Sequence, residues 1–464
     1  MKTKTAIKFL LLLLSFAYTK SFAQKTNSFT AKQAVDYAVK NSAQVKNALV
    51  DIEIQRQTNK EITASAFPQI NGNANMTHFP NVAVQTFPNF ISQATYYVLT
   101  QEGVKNGSGT PIQSPSDFGV ISAPFGSKFT ANAGIDLNQL LFDGQVFVGL
   151  MAKKTSIEFY TKTAEVTQEM IKANIYKIYY QLVVGNKQIE SLDANIERFD
   201  KLLHDTKEIF KNGFAEKLDV DKVEVQLNNL RTEKLKAENQ IAAGMEGLKF
   251  LMSMPHKEML VLADTLNEQE LKQNILDENY NYNDRKELQQ LSLLQKLNGF
   301  NVKRYQLSKL PTVAFSGNFS KSAQRQKFDF FQGSYYTSSY VGLRLSVPIF
   351  DGGARNARIA KAKLDMQKTN NNIDQLKLLV DNDVAQARIR MRTALLTMDS
   401  QKKNIDLAEQ VYRTTKLKYE QGLGSNQEIY NAQTELKVAQ NNYYSSLYDA
   451  ITAKIDYLKA AGKL

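Results

Sequence analysis

The 464-residue chain has no cysteine, no tryptophan and only three histidines, His78, His204 and His256. Without cysteine there is no disulfide, no thiolate metal site and no thiol to carry a lipid after export. The histidines lack the close spacing of metal ligands, so no metal site is expected. With neither a thiol nor converging histidines, no nucleophile with a positioned base can be assembled. The acids are many but lie singly on helical faces, so an enzyme is the weakest of three functional readings and no cofactor is expected. Beyond residue 23 no run of about 20 apolar residues occurs, so no transmembrane helix is expected there. Gly103, Gly107 and Gly109 do not follow a strand and open a helix, which excludes a phosphate loop.

The charge balance is basic, 58 Lys and Arg against 46 Asp and Glu, a formal net +12. Charges of both signs are interspersed along helical stretches, the pattern of solvated helix faces, so no nucleic-acid partner is expected. Four of the lysines fall in residues 1–23, which contain no acid. Lys2, Lys4 and Lys8 followed by a short apolar run and Ser21-Phe22-Ala23 read as a secretory signal, with cleavage after Ala23.

What the chain does have is a strand feeding a very long helix. Val341, Leu343, Leu345 and Val347 alternate with Gly342, Arg344 and Ser346, a strand with one apolar face. Pro348-Ile349-Phe350-Asp351-Gly352-Gly353 punctuates it. From Ala354 to Gln421 there is neither glycine nor proline, which predicts a helix roughly 100 Å long. Ile373, Leu376, Val380, Val384, Ala387, Met391, Ala394 and Met398 recur every three or four residues, the seam of near-parallel packed helices.

The same object occurs earlier. Phe129, Ala131, Ala133, Ile135 and Leu137 alternate with polar or small residues, then Phe142-Asp143-Gly144 makes the corner. A proline-free stretch from Gln145 to Asn212 follows. Gly213 and Gly422 stop the two long helices. Phe67-Pro68-Gln69-Ile70 and Leu310-Pro311-Thr312-Val313 open matching strands. Each half therefore reads helix, strand, strand, long helix, helix, an internal duplication with a period of about 200 residues. The expected boundaries are a signal peptide at 1–23, a first repeat at 24–255, a linker at 256–283 and a second repeat at 284–464.

In chain order, the first helix is expected from Ser28 or Thr30 to about Ala66. Residues 79–127 read as a loop, far longer than its counterpart at about 321–339; loops longer than 12–15 residues are usually functional or mobile. Further helices are expected at 216–254, 284–309 and from Ser425 to about Ala460, with 256–283 irregular.

The strands pose a solvent problem. Their length and alternation fit tilted transmembrane β-strands, and lipid tolerates no unpaired sheet edge. Four strands cannot close around a lumen, so the chain must share a barrel with copies of itself, and three copies supply 12 strands. Tyr335, Tyr336, Tyr340 and Phe331 read either as an interfacial aromatic girdle or as packing residues. A non-channel periplasmic coiled coil, structural or adaptor-like, is the alternative.

The opening Phe29-Thr30-Ala31-Lys32-Gln33-Ala34-Val35-Asp36-Tyr37-Ala38 carries a resemblance to a known family. So do the two Pro-led strand starts, the Pro348–Gly353 corner and the Tyr419-Glu420-Gln421-Gly422 helix end. In this order and duplicated, they resemble the TolC family of outer-membrane efflux proteins over essentially the whole mature chain. The resemblance implies a mainly α fold with a small β part: a trimer with a 12-stranded outer-membrane β-barrel and a long α-helical periplasmic tunnel. It implies passive export of small molecules or proteins, with a periplasmic adaptor and an inner-membrane transporter as partners and outer-membrane lipid around the barrel. Matching motif to motif, Asp219 and Tyr419 fall where a carboxylate and a tyrosine latch neighbouring helix pairs. The family's arginine lock position is Gly424 here. Glu428 and Asn431 fall where two aspartates line the entrance constriction, leaving one carboxylate per chain. Glu428 also reads as an ordinary helix N-terminal charge. The missing cysteine departs from the lipid-anchored members of the family.

Overall fold

The computed structural model describes residues 26–124, 126–266, 268–272 and 280–464. The signal-peptide reading of 1–23 lies outside them, as does part of the 256–283 segment. The described residues form two compact units, and the boundaries between them fall inside four helices.

The first unit holds residues up to 57, 152–299 and 362–464. It opens with β1 (Thr26–Phe29), α1 (Ala31–Asn41) and α2 (Ala43–Ala64). Thr30 caps α1 with a reciprocal capping box: its side chain accepts from the Gln33 backbone, and Gln33 accepts from the Thr30 N–H. The expected single helix to Ala66 is instead broken at Ser42, which takes an extended ψ of 131° while its N–H caps Ala38. β1 pairs in parallel with β6 (Met259–Leu262), inside a segment expected to be irregular. Tyr179, fully buried, stitches this pair. Its hydroxyl donates to the Phe29 carbonyl at 2.7 Å and accepts from Ala263 and Asp264 N–H at 3.1 Å.

The long helices are α4 (Gly144–Lys211) and, after β8 (Tyr336–Ser346), α8 (Ala354–Glu420). Their partners are α5 (Lys217–Met252) and α9 (Asn426–Ala460). Val380, Val384, Ala387, Met391 and Met398 are buried on α8, as their spacing predicts. Phe199 and Leu203 pack with Val220, Leu227, Leu230 and Ile429, so α4, α5 and α9 share one core. A short helix, α6 (Glu268–Lys272), and a 3₁₀ turn at Tyr282–Asp284 precede α7 (Lys286–Leu307).

The second unit holds residues 58–151 and 300–361. Its sheet has the order β2-β5-β7-β8: β2 (Gln69–His78), β5 (Phe129–Phe142), β7 (Thr312–Arg325) and β8, antiparallel throughout. Both edges, β2 and β8, are unpaired among the described residues. Cross-strand register puts Ile70, Leu137, Gly317 and Val341 in one row, with Ile135 beside Phe319 and Phe315 beside Leu343 on the same face. The other face carries Asn71, Asp136 and Asn318, where Asp136 accepts from the amides of Asn73 and Asn318. Leu343 is 72 % exposed and Ile135 54 %, so this apolar face has no cover among the described residues. A bulge at Leu141 ends β5.

Tyr336 and Tyr340 pair with Ser322 and Asn318, which puts them on the Asp136 face rather than in an apolar girdle. The aromatic cluster on the Ile135 face is instead His78 stacked on Phe129, with Phe328 and Phe330 edge-on to Phe129. The 79–127 insertion, expected to be loop, contains a small hairpin of β3 (Val84–Pro88) and β4 (Val120–Pro124). It also contains a helix, α3 (Phe90–Gln101), capped by the Asn89 side chain. The β-branched and aromatic residues of α3 are weak helix formers, which hid it from a propensity reading.

Candidate functional site

The sequence-predicted site residues fall at two kinds of place: corners where strands become helices, and tips where long helices turn back.

At the first corner, Asp143 caps α4, its Oδ1 accepting the Gln145 N–H at 2.7 Å. Gly144 is required by closeness. A Cβ there would sit 2.7 Å from Leu307 Cβ and 2.9 Å from the Leu307 carbonyl oxygen. Phe142 packs its ring 5.6 Å from Phe147. At the second corner Asp351 is again the cap, accepting from Gly353 and Arg355 N–H and pairing with the Arg355 guanidinium at 3.0 Å. Here the glycines serve the backbone: Gly352 and Gly353 have φ of +64° and +85°, the left-handed region. Between Pro348 and Asp351, Ile349 and Phe350 stand almost fully exposed.

The two tips share one geometry. Gly213 (φ +80°) donates to Phe210, and Phe214 donates to Ile209. Gly422 (φ +72°) donates to Tyr419, and Leu423 to Lys418. Each is a Schellman stop with glycine in the left-handed position. The residue after each glycine projects outward, Phe214 86 % and Leu423 74 % exposed.

Between the tips, Tyr419 leans on the α4–α5–α9 core. Burial raises its hydroxyl pKa, with Asp205 and Asp219 adding to the rise. The hydroxyl lies near Thr206, whose Oγ1 donates toward the Leu202 carbonyl and Asn426 Oδ1. The Tyr419 hydroxyl is buried with no hydrogen-bond partner among the described residues. Asp219 sits in the first turn of α5, a favourable place for an acid, and makes no bond to Tyr419 within the chain.

Ser425 caps α9 by accepting the Glu428 N–H at 3.2 Å. Glu428 and Asn431 are both exposed and one turn apart on α9, while Ile429, Ala432 and Leu436 are buried. Asn431 accepts from Gln427 at 2.8 Å. Sequence reasoning missed Lys418, whose ammonium lies 3.8 Å from the Glu428 carboxylate across the turn. It also missed a cavity of about 370 Å³ beside Tyr419, lined by Arg198, Lys201, Tyr412 and Gln433 among others. The Arg198 guanidinium lies 5.6 Å over the Tyr412 ring, and burial lowers its pKa. Only the fold brings these residues together. Among the described residues no cluster of His, Cys, Asp or Glu could hold a metal ion. No helix there is long and apolar enough to cross a membrane.

Residues 283–463 match the family model described as outer membrane efflux protein. Over this segment the chain is similar to the TolC family of outer-membrane efflux proteins. It is 20 % identical over 341 residues to outer membrane protein TolC of Vibrio cholerae, covering 72 % of this chain and 77 % of that one. It is 22 % identical over 331 residues to the alkaline protease secretion protein AprF of Pseudomonas aeruginosa, covering 69 % and 67 %. Among solved structures, the CmeC outer membrane channel of Campylobacter jejuni superposes with a TM-score of 0.71 at 17 % identity, over 96 % of this chain and 90 % of that one. CusC superposes with a TM-score of 0.72 at 14 % identity, over 93 % and 92 %. These structural likenesses establish the fold.

Proposed function

We propose that this chain is the outer-membrane duct of a tripartite export system, passively conducting cargo delivered by an inner-membrane transporter and a periplasmic adaptor. The observation that carries the reading is the open sheet. Four antiparallel strands have two unpaired edges and an uncovered apolar face. In lipid every backbone group must be paired, so the edges call for copies of the same chain. Three copies close a barrel of 12 strands from four each, with β8 of one meeting β2 of the next. The helices continue it as a periplasmic tunnel, and the chain comprises two repeats, 24–255 and 284–464, behind a signal peptide at 1–23 and around a linker at 256–283. The strand-to-helix corners are held by the Asp143 and Asp351 caps.

The tips form the tunnel's closed end. Tyr419 and Asp219 latch helix pairs there, supported by the Tyr419 hydroxyl that finds no hydrogen-bond partner among the described residues of one chain. Glu428 lines the entrance, with Asn431 one turn on. Phe214 and Leu423 offer the adaptor an apolar foothold. Cell fractionation tests the reading. Heat-stable trimers released from outer membrane only by detergent are expected; release by osmotic shock would make the chain a periplasmic coiled coil instead.

A further inference from the structure

The 79–127 insertion is not used by any of this. From Phe79 to Gln101 the chain has no charged residue and no histidine. Within that stretch α3 is amphipathic the wrong way round for a water-facing helix. Its inner side is Ser92, Tyr96, Leu99 and Thr100, with the Tyr96 ring 5.7 Å from Phe118. Its outer arc is Phe90, Ile91, Ala94, Tyr97 and Val98, all exposed; Val98 is 57 % exposed. The helical period places these five residues within one third of the circumference. An apolar arc of this kind turned outward marks an interaction surface.

The attachment of the insertion says what covers it. The chain leaves the sheet through His78 and returns through Phe129, a stacked ring pair in register on the Ile135 face. That is the face read above as lipid-facing, and the aromatic cluster of Phe129, Phe328 and Phe330 lies on it at the strand ends where the insertion begins. A second copy has the open edges of β2 and β8 to pair with and needs no arc from α3. Phe and Tyr on an uncharged helix suit the boundary between headgroups and acyl chains, where such helices bury about 5–10 Å.

We propose that α3 is an interfacial helix. It lies on the outer leaflet of the membrane with Phe90, Ile91, Tyr97 and Val98 in lipid, widening the belt formed by the strands. The proposal rests on the barrel reading, and the test separates the two. The chain has no tryptophan, so one introduced indole is the only one that emits. Val98→Trp, Leu343→Trp and Phe214→Trp are each reconstituted into vesicles of phosphatidylcholine with and without brominated acyl chains. The expected result is loss of emission in brominated lipid for Val98→Trp and Leu343→Trp, and none for Phe214→Trp at the helix tip. Loss for Leu343→Trp with unchanged emission for Val98→Trp overturns the interfacial helix and leaves the barrel standing. No loss at either position overturns the barrel itself. Should Val98→Trp fail to assemble, Tyr97→Trp reads the same arc.

Discussion

Asn195 on α4 donates a hydrogen bond of 2.8 Å to Oε1 of the Gln440 side-chain amide on α9, at a place where both side chains are buried. The Ser191 hydroxyl donates to the same oxygen at 2.8 Å. This ties a helix of the first half to a helix of the second inside an apolar seam. Gln440→Leu removes the shared acceptor of the buried Asn195 amide and the half-buried Ser191 hydroxyl, and is expected to cost about 1–3 kcal/mol. Denaturant unfolding of the detergent-solubilised protein measures it. An unchanged midpoint would mean that the surrounding packing alone sets the seam.

Much of the fold was legible because its signals are local. Glycine at a left-handed stop, threonine at an N-cap, alternation along β5 and β8 and the α8 seam all act within a few residues. What was missed depends on partners distant in sequence. β1 and β6 are four-residue strands separated by more than 200 residues, too short for a period to show. The neighbouring of β5 and β7 is a topological fact that no single strand encodes. At the tips, the glycine stops and the place of Glu428 at the start of α9 were readable, but the nearness of Lys418 to Glu428 exists only once the turn has closed.

The two faces of the sheet predict opposite tolerance. Leu343→Asp or Ile135→Asp puts a charge on the apolar face and should impair assembly. At the midplane such a charge costs about 2–4 kcal/mol for Arg or Lys and less for Asp. Ser346→Asp or Asn132→Asp, on the polar face, should assemble. The yield of heat-stable trimers in outer membranes distinguishes them, and equal tolerance on both faces would mean that neither meets lipid.

Acid should loosen the α6 strap. Burial alone would raise the Glu268 pKa, but hydrogen bonds from Lys402 and Tyr443 outweigh it and hold the carboxyl below the ordinary glutamate range. A depressed folded pKa gives stability that is fully present above the unfolded value and lost as pH falls through the folded one. The wild type should therefore exceed Glu268→Gln in unfolding midpoint at pH 6, and the gap should close below about pH 4. A gap independent of pH would show that the carboxylate charge is not involved.

The Tyr419 hydroxyl has no hydrogen-bond partner among the described residues of one chain, so removing it should not weaken a single chain's packing. A latch to Asp219 in the assembled trimer would behave otherwise. Tyr419→Phe is then expected to raise single-channel conductance in planar bilayers while leaving trimer yield unchanged. Conductance equal to wild type would remove the hydroxyl from the gate.

The last expectation concerns charge at the entrance. Three copies of Glu428 would put three carboxylates around a narrow opening, and acidic rings favour cations. Each carboxylate has Lys418 at 3.8 Å, and both side chains are more than half exposed, so the pairing is weak and screened by salt. The lysine nonetheless places a positive charge beside each negative one and blunts the field of the ring. Two substitutions should therefore act in opposite directions. Glu428→Gln removes the ring and lowers cation preference, and it should also relieve block by multivalent cations added from the periplasmic side. Lys418→Met leaves the ring unopposed and raises cation preference, most clearly at low ionic strength. Reversal potentials under a salt gradient read both. A helix-capping role alone would leave selectivity unmoved in either variant, because the Ser425 cap on the Glu428 backbone N–H survives both changes.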